Sequence, residues 1–423
     1  MLANQLNISD ELISKCIHCG LCLPTCPTYN LTYNEQSSPR GRIQMMKNVF
    51  ENTSTISEQF VDEMNFCLDC QACQTACPAG VKYGSLVEEA RNLISLNKKE
   101  KTFYKISKSI FLNKIIASTY KLKLFSKLLY YFQKLFSNKY FYSTIFKIFE
   151  NLNLSKLNLL PKINFRPFDE TIDEYLPSYG KARFDVIFPY GCIMNVAFSE
   201  INSDTVEVLR KAGCNVLIPK NQTCCGSLHF HNGEKEGARE LAIQNIKQFN
   251  NFKFDYIIQN SAGCGAMMKH YNELFSGDSE YFEIVNLFSK KVKDFSEFLY
   301  EINYEPPTIN NNQTVTYHDA CHLIHSQLIT NEPRYIISKT NKNTYIELNE
   351  ASWCCGSAGI YNVTHTEDSL KILDRKMDNI EKTYADIVIA SNPGCLLQIQ
   401  YGIKKRNLNI KAMHLATYLN QIQ

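Results

Sequence analysis

From about residue 181 onward, short apolar runs bounded by turn residues alternate with longer stretches of helical period. The runs predict strands and the stretches helices, the pattern of a parallel or mixed sheet with crossover helices. Strand candidates fall at 185–190, 215–219 and 255–259, and again at 314–317, 344–348 and 386–390. Two α/β units, 181–308 and 309–423, are therefore expected. Residues 98–180 read differently, as a helical linker in which Lys is interleaved with Phe, Tyr, Leu and Ile. A helix here could sort these residues into an apolar and a cationic face. Lysines interrupt every apolar run before the roughly 18 residues that a bilayer crossing needs, so a transmembrane span is not expected.

Charge sharpens the view of that linker. Residues 98–147 hold 12 Lys against the single acid Glu100, a local +11 in a chain whose total is only +3. Such asymmetry predicts an anionic partner, either a membrane surface met through residues 103–147 or an acidic protein face. Helices packed on the neighbouring domains with their lysines in water would account for it equally. A nucleic-acid partner is not expected. The first residues, Met1 to Glu11, have neither a basic start nor an apolar run, which predicts a cytoplasmic protein, or one peripheral on the inner face of the cell membrane, and not a secreted one.

The chain has 423 residues, enough for two or three domains, and 17 cysteines, too long a chain for a small disulfide scaffold. Spacing explains sixteen of them. C-x2-C-x2-C-x3-C-P occurs at Cys16, Cys19, Cys22 and Cys26, and again at Cys67, Cys70, Cys73 and Cys77. This run belongs to two-cluster ferredoxins, in which the fourth cysteine ligates the other cluster. It predicts one [4Fe-4S] cluster on Cys16, Cys19, Cys22 and Cys77, and a second on Cys67, Cys70, Cys73 and Cys26. Residues 1–97 are thus expected to form an α+β, mostly helical, ferredoxin-like domain. Paired zinc sites would leave the third cysteine and the repeated Cys-Pro unexplained. The nearby Ser38-Pro39-Arg40-Gly41-Arg42 reads as a docking loop or a solvated turn.

Further along, Cys192, Cys224-Cys225-Gly226 and Cys264 recur as Cys321, Cys354-Cys355-Gly356 and Cys395, at offsets of 129, 130 and 131 residues. That agreement identifies an internal repeat. Each copy supplies four thiols, following the first and third strand candidates, at the carboxyl ends where open α/β sheets bind ligands. An additional iron–sulfur cluster and a zinc ion are both compatible with such a set. His229, His231, His318, His322, His325 and His365 lie close in sequence and are candidates to tune these centres. Cys214 is expected to be a core residue.

The Cys-Cys-Gly triplets resemble those of the cysteine-rich domain of heterodisulfide reductase and related iron–sulfur subunits. The family pattern ends in C-x2-C, whereas Ser261 and Asn392 stand at the first of those cysteines. That departure argues against a catalytic, disulfide-cleaving centre. Cys16-Ile17-His18-Cys19-Gly20-Leu21-Cys22, Cys26-Pro27-Thr28-Tyr29, Pro39-Arg40-Gly41-Arg42-Ile43, Cys77-Pro78-Ala79-Gly80-Val81-Lys82-Tyr83, Asn260 to Gly265 and Cys354 to Tyr361 together resemble the glycolate oxidase iron–sulfur subunit family. The resemblance implies an electron-transfer subunit that accompanies FAD-binding flavoprotein subunits. Electrons from glycolate oxidation would pass through its clusters toward membrane quinone or another acceptor. Iron–sulfur subunits of anaerobic glycerol-3-phosphate dehydrogenase and of D-lactate dehydrogenase share the layout and stay open as alternatives. No G-x-G-x-x-G occurs, so no flavin is expected on this chain, and no catalytic residue set stands out.

Overall fold

The computed structural model describes residues 10–97, 106, 108–136, 160–275, 278, 280–308, 313–340 and 345–421. Met1 to Ser9 and all the lysines of 98–107 and 137–147, half of those in the basic segment expected to meet an anionic partner, lie outside them.

Among the described residues up to 97 there are helices and no strands, so the strand component of the expected α+β fold is absent. Local signals explain this. Ser38 caps helix α1 (Pro39–Phe50), its Oγ accepting from the Gly41 amide at 3.1 Å, and Pro39 takes the first helical position. Ser57 caps α2 (Glu58–Phe66) in the same way. Ile43, Met46 and Val49 of α1, Phe60, Val61 and Met64 of α2, and Leu86, Val87, Ala90, Leu93 and Ile94 of α3 (Tyr83–Leu96) form one buried core. The Ser-Pro-Arg-Gly-Arg stretch is accordingly a helix start, neither docking loop nor solvated turn. Its Arg42 is fully buried.

Among the described residues, the expectation of a helical linker holds for 108–136 alone. Residues 160–180 are mostly irregular and carry a short 3-10 turn, Phe168–Glu170, and a strand, Tyr175–Leu176, that joins the sheet of the first repeat. A π-helical turn, Ile110–Ile116, leads into α4 (Thr119–Phe136). Leu112, Ile116 and Leu122 are buried, and Ile116 and Leu122 belong to the core under the first repeat. Lys123 pairs with Asp169 at 2.9 Å and Lys127 with Glu170 at 3.6 Å.

The first repeat runs β2 (Phe184–Ile187), α5 (Ser199–Lys211), β3 (Cys214–Leu217), α6 (Lys235–Phe249), β4 (Tyr256–Gln259), α7 (Ala262–Lys269), β5 (Val292–Asp294) and α8 (Phe295–Glu301). Its sheet has the order β1-β3-β2-β4-β5, parallel except for the antiparallel edge strand β1 (Tyr175–Leu176). The second repeat runs β6 (Val315–His318), α9 (Asn331–Thr340), α10 (Thr366–Glu381), β7 (Ile387–Ala390), α11 (Pro393–Arg406), β8 (Lys411–His414) and α12 (Leu415–Gln421). Its sheet is parallel, β6-β7-β8. The strand expected at 344–348 is reduced to one bridge from Tyr345 to Val315, Thr344 lying outside the described residues. Sequence reading missed β1, β5 and β8, each of only two to four residues.

The repeats interlock reciprocally. Helix α5 of the first packs on the terminal α12 of the second, and α8 of the first on α9 of the second. Side chains alternate across each strand. Val186, Val216, Ile258, Val315, Tyr317, Ile389 and Met413 therefore enter a single core shared by both repeats, together with Leu209 and Leu419. Cys214 sits in this core, as expected of a small hydrophobe.

Truncating Leu209, fully buried in that shared core, should cost about 2–5 kcal/mol. Trp353, the single tryptophan, reports from the other repeat. Urea unfolding of Leu209→Ala followed by Trp353 fluorescence should show one transition at a lower midpoint. An unshifted Trp353 transition would mean that the repeats unfold separately.

Candidate metal centres

Two cavities in the helical module divide its cysteines. One is lined by Cys16, Cys19, Cys22 and Cys77, the other by Cys26, Cys67 and Cys70; Pro39, Cys73 and Tyr83 line both. The fourth cysteine of each motif thus faces the first three of the other motif. His18 and Gly20 in the first loop, and Asp69 and Gln71 in the second, have positive φ, so both loops curl through left-handed residues at matching steps. Such residues are uncommon outside glycine and are held by surrounding contacts. Arg40 donates to the His18 carbonyl at 3.1 Å while gripping Glu35 through Nε and Nη2. Arg42 donates to Thr28 Oγ1 at 3.0 Å and to Glu63 Oε2 at 3.2 Å, lining the second cavity as a buried cation. Thr28 Oγ1 lies 3.3 Å from Cys26 Sγ, and the Tyr83 hydroxyl and the Asp69 amide reach Cys67 Sγ at 3.6 and 3.3 Å.

Burial pushes the Cys22 thiol up to about 11, and pushes those of Cys70 and Cys73 well above their ordinary value. None of the cysteines is in a disulfide. Four converging thiols, half-buried or exposed in the first cavity and more deeply buried in the second, form a donor set suited to iron. Bound iron favours the thiolates that burial alone disfavours, and Arg40 and Arg42 offset their negative charge.

Each repeat gathers a further chain of thiols. Cys224 touches Cys192 and Cys225, and Cys225 touches Cys264. Likewise Cys354 touches Cys321 and Cys355, and Cys355 touches Cys395. The glycine after each pair is required by shape: Gly226 and Gly356 have φ of 88° and 86°, and a Cβ on Gly356 would come 2.4 Å from the Ser369 carbonyl oxygen. The replacements for the missing fifth cysteines meet across the repeats. Ser261 Oγ donates to Asn392 Oδ1 at 3.4 Å, and Asn392 Nδ2 donates to Cys395 Sγ at 3.6 Å.

The histidines fall into different roles. A nitrogen of fully buried His318 lies within 4.8 Å of the sulfurs of Cys355 and Cys395. His322 Nδ1 lies 3.5 Å from Cys321 Sγ, and His229, which touches Cys224, has Nε2 3.1 Å from the Leu112 carbonyl oxygen. His325 meets Thr75 at 2.7 Å, while His365 stacks on Tyr361 at 4.7 Å.

Sequence reading did not foresee the junction between these sites. Leu68 and Cys70 share a small core with Trp353 and Cys354, which sets the second cavity of the helical module against the thiols of the second repeat. Beside it, His231 Nδ1 lies 2.8 Å from Glu88 and 3.0 Å from Asp69, and its ring is 5.0 Å from that of His322. Arg91 donates to the carbonyls of Met64, Cys67 and His231. Of its members, sequence reading singles out only His231 and His322, as histidines near the cysteines, and passes over Asp69, Glu88 and Arg91.

Burial works against charging His231, but hydrogen bonds to Asp69 and Glu88 outweigh it and raise its pKa to about 10. Burial and the Asp69 charge raise Glu88 to about 8. Both groups therefore hold protons more tightly in the folded chain than in the unfolded one. Their contribution is complete at low pH and is lost as pH rises through about 8 and then about 10. Stability should fall between pH 6.5, the ordinary value for His, and about 10. His231→Gln should lower the urea midpoint at pH 6.5 and flatten that fall; an unchanged slope would remove His231 as its cause.

Comparison with known proteins follows this division. A 4Fe-4S dicluster domain matches residues 12–81, and a cysteine-rich CCG domain matches twice, at 186–269 and 315–400. The chain is 36% identical over 415 residues, 97% of its length and 93% of the relative's, to a probable glycolate oxidase iron-sulfur subunit of Bacillus subtilis. It is 26% identical, over 92% of its length and 89% of the relative's, to the glycolate oxidase iron-sulfur subunit of Escherichia coli. Lactate utilization protein A 2 of Bacillus cereus is 30% identical over 54% of this chain and 94% of its own. In fold, the chain is similar to a hypothetical protein from Helicobacter pylori, with a TM-score of 0.57, 10% identity, and coverage of 98% and 73%. With its dicluster module, its paired cysteine-rich domains and a relative alike from end to end, the chain belongs to the glycolate oxidase iron–sulfur subunit family of oxidoreductase electron-transfer proteins.

Proposed function

We propose that this chain is the electron-relay subunit of a flavin-dependent glycolate dehydrogenase. In this reading it takes electrons from the flavin of partner subunits and delivers them toward a membrane acceptor such as quinone. The observation that carries the reading is the pair of cysteine-lined cavities divided by the shared wall of Pro39, Cys73 and Tyr83. Cys16, Cys19, Cys22 and Cys77 would hold one [4Fe-4S] cluster, and Cys26, Cys67, Cys70 and Cys73 the other. When bound, such clusters supply one-electron transfer at a potential set by surrounding charge and hydrogen bonds.

The chain's own residues do the rest. Arg42 brings positive charge to the second cavity, and Tyr83 and the Asp69 amide bond the Cys67 sulfur. Leu68, Trp353 and Ile372 pack the gap between Cys70 and Cys354 and exclude water from it. Cys321, Cys354, Cys355 and Cys395 would form the next centre, and Cys192, Cys224, Cys225 and Cys264 the one beyond, tied to it through Ser261 and Asn392. Thiolate sets of this kind suit a further iron–sulfur cluster or zinc. Only the former would extend the relay.

Glycolate is favoured because relatives with that name cover nearly the whole chain. Lactate is the second reading, supported by the relatives named for lactate utilization over about half of it. Mixing the oxidised chain anaerobically with its flavoprotein subunits and each 2-hydroxy acid decides between them. Glycolate should bleach the visible absorbance of the chain only when the flavoprotein is present. Faster bleaching by lactate would move the assignment to the second reading. Bleaching without the flavoprotein would contradict the relay.

A further inference from the structure

The outward face of α4 is apolar where water should favour the reverse. At 100° per residue, Leu122, Ser126 and Leu129 lie on the side that packs on the first repeat. The opposite arc carries Tyr120, Leu124, Leu128, Tyr131 and Leu135, all exposed, with Phe125 and Phe132 at its margin. Tyr120 is 75% exposed and Leu128 64%. Phe165, also exposed, extends the patch, its ring 6.3 Å from that of Tyr131. A helix resting on a globular body normally turns polar residues to that arc.

Charge identifies the occupant. The helix contains no Asp or Glu, carries Lys121 within the outward arc, and has Lys123, Lys127 and Lys134 in a row along one border. The ion pairs to Asp169 and Glu170 fasten that border to the body and leave the apolar arc facing away from it. The surrounding residues 98–147 add further lysines against one acid. Protein interface cores are depleted in Lys. An apolar row with Lys121 set in it is the chemistry of a helix lying in a lipid interface, with its apolar side chains at the acyl boundary and that ammonium group among anionic headgroups, while Lys123 and Lys127 stay paired with Asp169 and Glu170. No helix among the described residues is long and apolar enough to cross a membrane.

We infer that α4 docks the chain on an anionic lipid surface, with Tyr120, Leu124, Leu128, Tyr131 and Leu135 entering the interface. The inference deepens the relay reading, on which it rests for the purpose of docking: it names the side of the molecule that meets the membrane acceptor. Binding itself needs no redox chemistry.

The test uses the full chain, purified anaerobically and sedimented with vesicles of phosphatidylcholine alone or mixed with phosphatidylglycerol, at low and high salt. The chain should sediment with the anionic vesicles, and less so as salt rises. Combining Leu124→Ser, Leu128→Ser and Tyr131→Ser should weaken binding by more than about tenfold, while iron content and unfolding midpoint stay unchanged. Lys121→Glu should weaken binding to the anionic vesicles. Failure of the unaltered chain to bind, or full binding by the Ser variant, overturns the inference. So does a Ser variant that loses its flavoprotein subunits when the unaltered chain binds no vesicles, since the arc would then be a protein interface. Iron analysis of the same samples separates the two readings: a chain that binds vesicles but holds no iron refutes the relay and leaves the docking intact.

Discussion

The constraint on which the rest depends is a cluster of four ionisable groups buried where the helical module meets the first repeat. Asp69 comes from the second cysteine loop, Glu88 and Arg91 from α3, and His231 from the first repeat. Isolated, any of them would cost several kcal/mol to bury; together they offset one another, and removing one partner from such a set typically costs about 3–5 kcal/mol. The arrangement also fixes direction. Arg91 holds the carbonyls of Met64 and Cys67 on one side and of His231 on the other, so the loop that carries Cys67, Cys70 and Cys73 cannot shift without breaking bonds to the repeat. The same junction keeps Cys70 and Cys354 in one small core, the fixed placement that the proposed relay would require.

The repeats make a second joint by symmetry. Their packed helices bury one common core, and Ser261 of the first repeat meets Asn392 of the second at 3.4 Å. Through Asn392, which also donates to Cys395, that contact links the two repeats beside the thiols of the second. The copies are nevertheless unequal. His318 approaches Cys355 and Cys395 at the end of β6, and the second copy keeps only the Tyr345 bridge of its outer strand, so the two centres sit in different surroundings.

Cysteine spacing located the candidate sites. The expected grouping of Cys77 with the first motif and Cys26 with the second comes from the two-cluster ferredoxin run, and the two cavities are lined in that grouping; the repeat register at Cys192 and Cys321 is readable from spacing. Local apolar runs likewise marked β2, β3, β4, β6 and β7. Strands without an apolar run escaped: β5 is Val-Lys-Asp, and β8, Lys-Ala-Met-His, is no shorter than the strands that were found but opens on a charged lysine and lacks such a run. Ser38-Pro39 was misread because a helix start and an exposed turn use the same residues. The junction was illegible for a deeper reason. Asp69, Glu88 and His231 are far apart in sequence, and each becomes tolerable in a core only in the presence of the others.

The most direct test of the account is the metal content of the chain. Purified anaerobically, it should contain at least about eight irons and as many sulfides per polypeptide, and after dithionite reduction give the EPR signature of two interacting [4Fe-4S] clusters. Iron near twelve to sixteen without zinc would extend the relay through both repeats, and about eight with two zincs would end it at Cys70. A folded chain with almost no iron, or with zinc in the cavities lined by Cys16 and Cys26, would contradict the account at its base.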